Sequence, residues 1–173
     1  GASARARRHY TALGATVTTV PDPRTDPDGA LRVLDGDVGV VVLPGGSPAS
    51  LLSVLVGDRP TPVGQRIVEL HRSGVTLSGA SAGAMVLCTR TFVPDAGDPG
   101  PTIADGLGLV HGLALPHWSP GASRWPVPDG VELWGLPECG GVVVTSDGVR
   151  AIGAGEPSRG SAGSDWTPLP RVT

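Results

Sequence analysis

The chain has 173 residues, 39 % of them hydrophobic and 17 % charged, with 13 basic and 16 acidic side chains and a formal net charge of −3. That size and apolar content suit a single globular domain spanning residues 1–173 with its own core, and exclude a disordered acidic chain. No basic stripe is available for a phosphate backbone, so no nucleic-acid partner is expected. No apolar run approaches the roughly 18 to 20 residues of a membrane span, so no membrane partner is expected either.

In chain order, residues 2–13 read as a solvated, arginine-rich helix that Gly14 stops, followed by a strand over 15–20. Residues 38–43 form an apolar run without alternation, the pattern of a parallel strand covered on both faces. Leu51, Leu52, Leu55 and Val56 then give helical spacing. After Pro60 and Pro62, Val63, Ile67 and Leu70 recur at i, i+4 and i+7 on a helix ending at Gly74. A short strand at 75–77 leads into a helix over 82–89. This alternation predicts an α/β fold, with helices on both faces of a mostly parallel sheet. Beyond it, 109–115, 131–136, 142–146 and 149–152 read as strands. The last two are joined by Asp147-Gly148, which predicts a closing antiparallel β-ribbon. The 18 prolines and 27 glycines concentrate between elements, and residues 156–164 are loop-like. Cys88 and Cys139 lie in unrelated segments without metal-ligand spacing. They read as reduced core or near-core thiols of a cytoplasmic protein.

The segment Gly79-Ala80-Ser81-Ala82-Gly83 has the GxSxG pattern between a strand and a helix. Small residues around Ser81 allow a sharp turn that exposes the hydroxyl and directs free N–H groups at an anion formed beside it. Alone, the pattern also suits an ordinary Gly/Ala-rich turn. The loop Pro44-Gly45-Gly46 leaves the 38–43 strand. Ligands of open α/β sheets bind outside the carboxyl ends of the strands, so this loop and the serine turn are expected on one rim. A glycine there lets a backbone N–H approach an oxyanion.

A serine nucleophile needs a base, and the base needs an orienting group. His9 and His71 fall on solvent-facing helix positions, and His111 lies inside an apolar run as a structural histidine would. His117 follows the strand ending Ala114-Leu115-Pro116, where its side chain can reach over the sheet rim. For the acid, Asp95, Asp98 and Asp105 occupy a Pro/Gly-rich loop, whereas Glu138 ends an apolar run beside Gly140-Gly141.

These residues carry a resemblance. Pro44-Gly45-Gly46, the Gly79–Ala84 turn, Gly106-Leu107-Gly108-Leu109, Pro116-His117-Trp118 and Gly135-Leu136-Pro137-Glu138 occur in the order seen in the dipeptidase E and cyanophycinase family of serine peptidases. The resemblance covers about the middle three fifths of the chain. It implies a three-layer sandwich like class I glutamine amidotransferases, with serine in place of their cysteine nucleophile. By resemblance Ser81 is the nucleophile, His117 the general base and Glu138 the acid, with no metal or organic cofactor. In that family an opening strand and glycine-rich loop precede the first helix, within which this chain begins. The family also implies preference for an acidic residue at the cleaved bond, and Arg124 follows the Pro116-His117-Trp118 segment closely enough to reach the same rim.

The leading expectation is a serine hydrolase cleaving a peptide or related amide bond through an acyl-enzyme, with backbone N–H groups at Gly46 and Ala82 holding the oxyanion. An esterase of the α/β-hydrolase type, with Asp95 or Asp98 preceding His117, is an alternative. So is an inactive amidotransferase-like binding domain. Nothing in the sequence specifies an oligomeric state.

Overall fold

The computed structural model describes residues 2–58, 60–94, 101–120 and 129–172. Contacts along the chain group it into two compact units, Gly1–Gly83 and Ala84–Thr173.

In the first unit, α1 (Ala2–Ala12) buries no residue and is followed by Gly14 in the left-handed region at φ 87°. Residues 15–20, expected as a strand, form none. β-Branched composition favours extended backbone, but a strand also needs a neighbour for its N–H and C=O groups, and this stretch is largely exposed. A helix the periodicity did not suggest comes next, α2 (Pro27–Leu34). Its local signal is Asp26-Pro27: Asp26 Oδ1 accepts the Gly29 N–H at 2.8 Å, and Pro27 opens the first turn with no N–H to satisfy.

The strands β1 (Val40–Leu43) and β2 (Thr76–Gly79) pair in parallel, from Val40 opposite Thr76 to Leu43 opposite Gly79. Between them run α3 (Pro48–Leu55) and α4 (Pro62–Arg72), capped by the hydroxyls of Ser47 and Thr61. As their spacing predicts, Val63, Ile67 and Leu70 are buried, and α4 packs against α2 and α3. Arg66 ties α4 to the end of α2 through Asp35, 2.7 Å away. A Cβ on Gly64 would stand 1.8 Å from the Leu55 carbonyl oxygen, so glycine permits the close approach of α3 and α4. β1 is not covered on both faces as expected: Val41 and Leu43 are buried while Val40 is 52 % exposed. A run of valines suits a strand with one or two buried faces, and only its neighbours decide between them.

The helix α5 (Ala82–Leu87) ends two residues before its expected stop, because Cys88 already begins β3 (Cys88–Val93). β4 (Thr102–Asp105), β5 (Val110–Pro116) and β6 (Glu132–Leu136) follow, then β7 (Gly140–Thr145) and β8 (Gly148–Gly153), and finally β9 (Ser158–Ser161) and β10 (Thr167–Pro168). Six strands form a mixed sheet in the order β10-β9-β6-β5-β3-β4. Its centre, β3-β5-β6, is parallel, and β4, β9 and β10 add antiparallel edges. β7 and β8 form the expected antiparallel ribbon, from Gly140 opposite Gly153 to Thr145 opposite Gly148. The segment read as a loop over 156–164 contains β9. Its Ser-Arg-Gly-Ser sequence has no strand propensity, and pairing with β6 orders it.

The core of this unit gathers Met85, Cys88, Phe92, Leu113, Leu115, Trp118, Leu133 and Trp134, with Leu113 fully buried on the central strand. The Gly106-Leu107-Gly108-Leu109 motif has a structural role here. Its four N–H groups donate to the carbonyls of Thr89, Val86, Cys88 and Leu87, satisfying the groups left open where α5 turns into β3. A Cβ on Gly106 would fall 2.2 Å from the Cys88 carbonyl oxygen.

Candidate active site

Ser81 stands immediately beyond the carboxyl end of β2 in the left-handed region, at φ 51°. For a non-glycine residue this conformation costs about 1 kcal/mol or more. The flanking backbone imposes it: the Ala80 N–H donates to the Leu43 carbonyl at 3.0 Å, and the Gly83 N–H donates back to the Ala80 carbonyl at 2.9 Å. The turn is thereby fastened to the end of β1. Gly83 has a steric reason to be glycine, since a Cβ there would lie 2.0 Å from the Leu43 carbonyl oxygen. Gly83→Ala is expected to force the elbow away from β1, with a loss of about 3 kcal/mol read as a fall in denaturation midpoint. An unchanged midpoint would contradict this packing.

The Pro44-Gly45-Gly46 loop lies against the same turn, as the shared rim of two parallel strands predicts. Gly46 takes φ 153°. The residue closest to the serine is Gly45, where a Cβ would stand 3.2 Å from Ser81 Cβ and 3.8 Å from Ser81 Oγ. Sequence reasoning identified the loop, but only the tertiary approach shows that Gly45 keeps the space beside the hydroxyl open. Ala82, the next residue, is buried at the start of α5.

In the second unit, His117 follows β5 and Glu138 lies two residues past the end of β6. Because β5 and β6 are parallel neighbours, with Pro116 opposite Leu136, both residues leave the same edge. His117 Nδ1 and Glu138 Oε1 are 2.5 Å apart, a hydrogen bond in which the ring N–H donates to the carboxylate. Both side chains are well exposed, at 63 % and 78 %. His117 is also left-handed, at φ 57°, and so is Cys139 after Glu138, at φ 56°. With Ser81 these are the non-glycine residues at positive φ among those described. The Trp118 N–H donates to the Leu136 carbonyl at 3.2 Å, and the Cys139 carbonyl accepts from Ala154 and Gly155. Backbone hydrogen bonds thus restrain the segments bearing both the imidazole and the carboxylate.

The other candidates stand elsewhere. Asp105 pairs with Arg90 across β4 and β3. Asp95, Asp98 and Arg124 lie outside the described residues. His9 and His71 are exposed, as expected, but His111 is exposed too rather than enclosed. It occupies the start of β5, before the strand enters the core, and its backbone carbonyl accepts from Trp134 Nε1 at 2.7 Å.

The cysteines also divide. Cys88 is buried, and burial pushes its thiol up to about 12, whereas Cys139 is exposed and not the core or near-core residue expected. The native protein is therefore expected to take up one equivalent of an alkylating reagent near neutral pH, on Cys139, and a second only after unfolding. Rapid labelling of Cys88 in the folded state would contradict its burial. Among the described residues no helix is long and apolar enough to cross a membrane.

Comparison with known proteins gives this geometry a context. Twelve chains of solved structures match the fold. One is the crystal structure of a peptidase from an acI-B1 Actinobacterium, which superposes with a TM-score of 0.74 at 22 % identity, covering 95 % of this chain and 71 % of that one. At that identity the likeness establishes the shared α/β fold. No curated protein matches the chain. Residues 2–129 match the family described as Peptidase family S51. That span holds the serine turn, the Pro44-Gly45-Gly46 loop and His117, and it covers well over half of the sequence: the chain belongs to Peptidase family S51, the dipeptidase E family of serine-type peptidases.

Proposed function

We propose that this peptidase cleaves its peptide substrate through an acyl-enzyme, with Ser81 as nucleophile, His117 as general base and acid, and Glu138 orienting the imidazole. Ser81 Oγ attacks the scissile carbonyl carbon while His117 Nε2 takes the hydroxyl proton. The carbonyl oxygen gathers negative charge, which the N–H groups of Gly46 and Ala82 are proposed to hold, at about 3 kcal/mol for one well-aimed donor. His117 then returns the proton to the departing amine, the C–N bond breaks, and the acyl ester on Ser81 remains. Water attacks that ester by the same proton path in reverse and frees the serine.

The observation that carries this reading is the hydrogen bond from His117 Nδ1 to Glu138. With the carboxylate as acceptor, that bond favours a proton on Nδ1, the tautomer in which Nε2 is the nitrogen that takes a serine's proton in the proposed mechanism. The left-handed backbone of Ser81 adds support, because strain of this kind persists where the surrounding structure over-determines it. The carboxylate bound to His117 follows it in the chain, which favours this reading over the Ser, acid, His order of an α/β-hydrolase esterase.

The proposed substrate is a short peptide with an acidic residue on the acyl side, recognised by Arg124. An arginine fork suits a carboxylate because it binds both oxygens at once. A panel of Asp-Xaa and Ala-Xaa dipeptides tests this. The native protein is expected to favour the aspartyl series, and Arg124→Ala to reduce that preference about tenfold or more. Equal turnover of the two series removes the acidic preference. A ratio unchanged in the variant removes Arg124 from the role.

A further inference from the structure

Beside the His117–Glu138 pair lies a cleft that the proposed mechanism does not use. Its volume is about 470 Å³, and its walls include Trp118, Trp166, Pro137, Pro168 and Glu156. The two indole rings lie 4.9 Å apart between centroids, with planes tilted by 42°. Each ring rests on a glycine of the sheet: a Cβ on Gly135 would come within 2.6 Å of the Trp118 ring, and one on Gly160 within 2.9 Å of the Trp166 ring. The tryptophans are thus seated on adjacent strands, β6 and β9, by the absence of side chains beneath them. Trp118 directly follows His117, and Pro137 directly precedes Glu138. A volume of this order suits one amino-acid residue, and flat aromatic and proline walls suit a flat apolar group. Glu156 is exposed and forms no ion pair among the described residues, the nearby Arg171 guanidinium being engaged by the carbonyls of Gly153 and Gly155, so Glu156 places a carboxylate at this cleft.

We propose that this cleft is the subsite for the residue released, taking an aromatic side chain and rejecting an acidic one through Glu156. The assignment rests on His117 as the group that protonates the departing amine, since the residue bearing that amine must then sit beside the imidazole. Apolar burial against Trp118 and Trp166 supplies the preference, and like-charge repulsion by Glu156 supplies the discrimination.

Three dipeptides with one acyl residue, Asp-Phe, Asp-Ala and Asp-Asp, test the subsite. For the native protein, kcat/KM is expected to be about tenfold higher for Asp-Phe than for Asp-Ala, and about tenfold lower for Asp-Asp. Trp166→Ala should collapse the Phe to Ala ratio towards one, chiefly by raising KM for Asp-Phe, while Trp166→Phe should keep most of it. Glu156→Gln, at an exposed position, should raise turnover of Asp-Asp relative to Asp-Ala even if the tryptophan variant fails to fold. A native Phe to Ala ratio within twofold, or a ratio that survives Trp166→Ala in a folded protein, overturns the proposal.

Titration of Ser81→Ala protein with free L-phenylalanine and L-alanine, read by tryptophan fluorescence, separates this subsite from the catalytic reading. Tighter binding of phenylalanine that Trp166→Ala abolishes, in a native protein that turns over none of the dipeptides, keeps the cleft and refutes the hydrolytic role. Loss of any phenylalanine preference refutes the cleft.

Discussion

Ser81→Ala is expected to reduce peptide turnover by about 10,000-fold or more and to abolish labelling by a fluorophosphonate probe, which reacts only with an activated serine. The size of the effect follows from chemistry: without Oγ there is no atom to carry the acyl group, and the residual rate comes only from binding and oxyanion stabilisation. Stability should move little, because the half-buried side chain loses one atom and Cβ remains. Ser81→Gly provides a second measurement. It removes the nucleophile equally but also relieves the left-handed strain at φ 51°, so it should be more stable than Ser81→Ala by about 1 kcal/mol, read from a higher denaturation midpoint. Undiminished labelling of Ser81→Ala would assign the nucleophile to another residue. A Ser81→Gly variant less stable than Ser81→Ala would show that the elbow stores no strain, because glycine would then contribute only its greater unfolded-state entropy.

His117→Ala should bring a loss of similar size, about 10,000-fold in kcat. The double variant Ser81→Ala, His117→Ala should be little worse than either alone, because the proposed mechanism uses the two groups as one unit. Glu138→Gln keeps the shape of the side chain but removes the charge that favours the imidazolium and replaces one acceptor oxygen with an NH2 donor, which can select the wrong tautomer. Its loss should be smaller, about 100-fold, since the His117–Glu138 pair is well exposed and water screens the lost charge. Single-turnover measurements should place both losses in kcat rather than KM, because neither group is proposed to bind the ground-state substrate. Independent, multiplicative losses for Ser81 and His117 would contradict the proton transfer between them. An unaffected Glu138→Gln would reduce the 2.5 Å contact to a surface hydrogen bond without catalytic consequence.

Much of this molecule is legible in one dimension where the determinant is local. Val63, Ile67 and Leu70 announce a helix face by spacing alone, and Gly14 marks the stop of α1 because few other residues tolerate φ 87°. The family membership is equally legible, since the Gly45-Gly46 loop, the Ser81 turn and His117 occur in one order along the chain. Other features were open to local reading and went unread. Asp26-Pro27 is a helix start hidden in a proline-rich stretch, and Thr89-Arg90-Thr91-Phe92-Val93 has strand composition directly after a helical pattern.

What only the tertiary structure decided depends on partners distant in sequence. Residues 15–20 have strand composition and no ladder, whereas Ser158–Ser161 has poor strand composition and gains order from β6, because pairing rather than propensity stabilises a strand. Glycine counts alone do not reveal that Gly83 and Gly64 are required by carbonyl oxygens 40 and 9 positions earlier in the chain, Leu43 and Leu55. The meeting of Glu138 with His117 is of the same kind, a contact set by the parallel register of β5 and β6 across 21 positions of sequence, as is the pairing of Asp105 with Arg90. Sequence composition carries residue types and their local preferences. Register, strain and the meeting of side chains arise only when long-range packing brings the strand ends together.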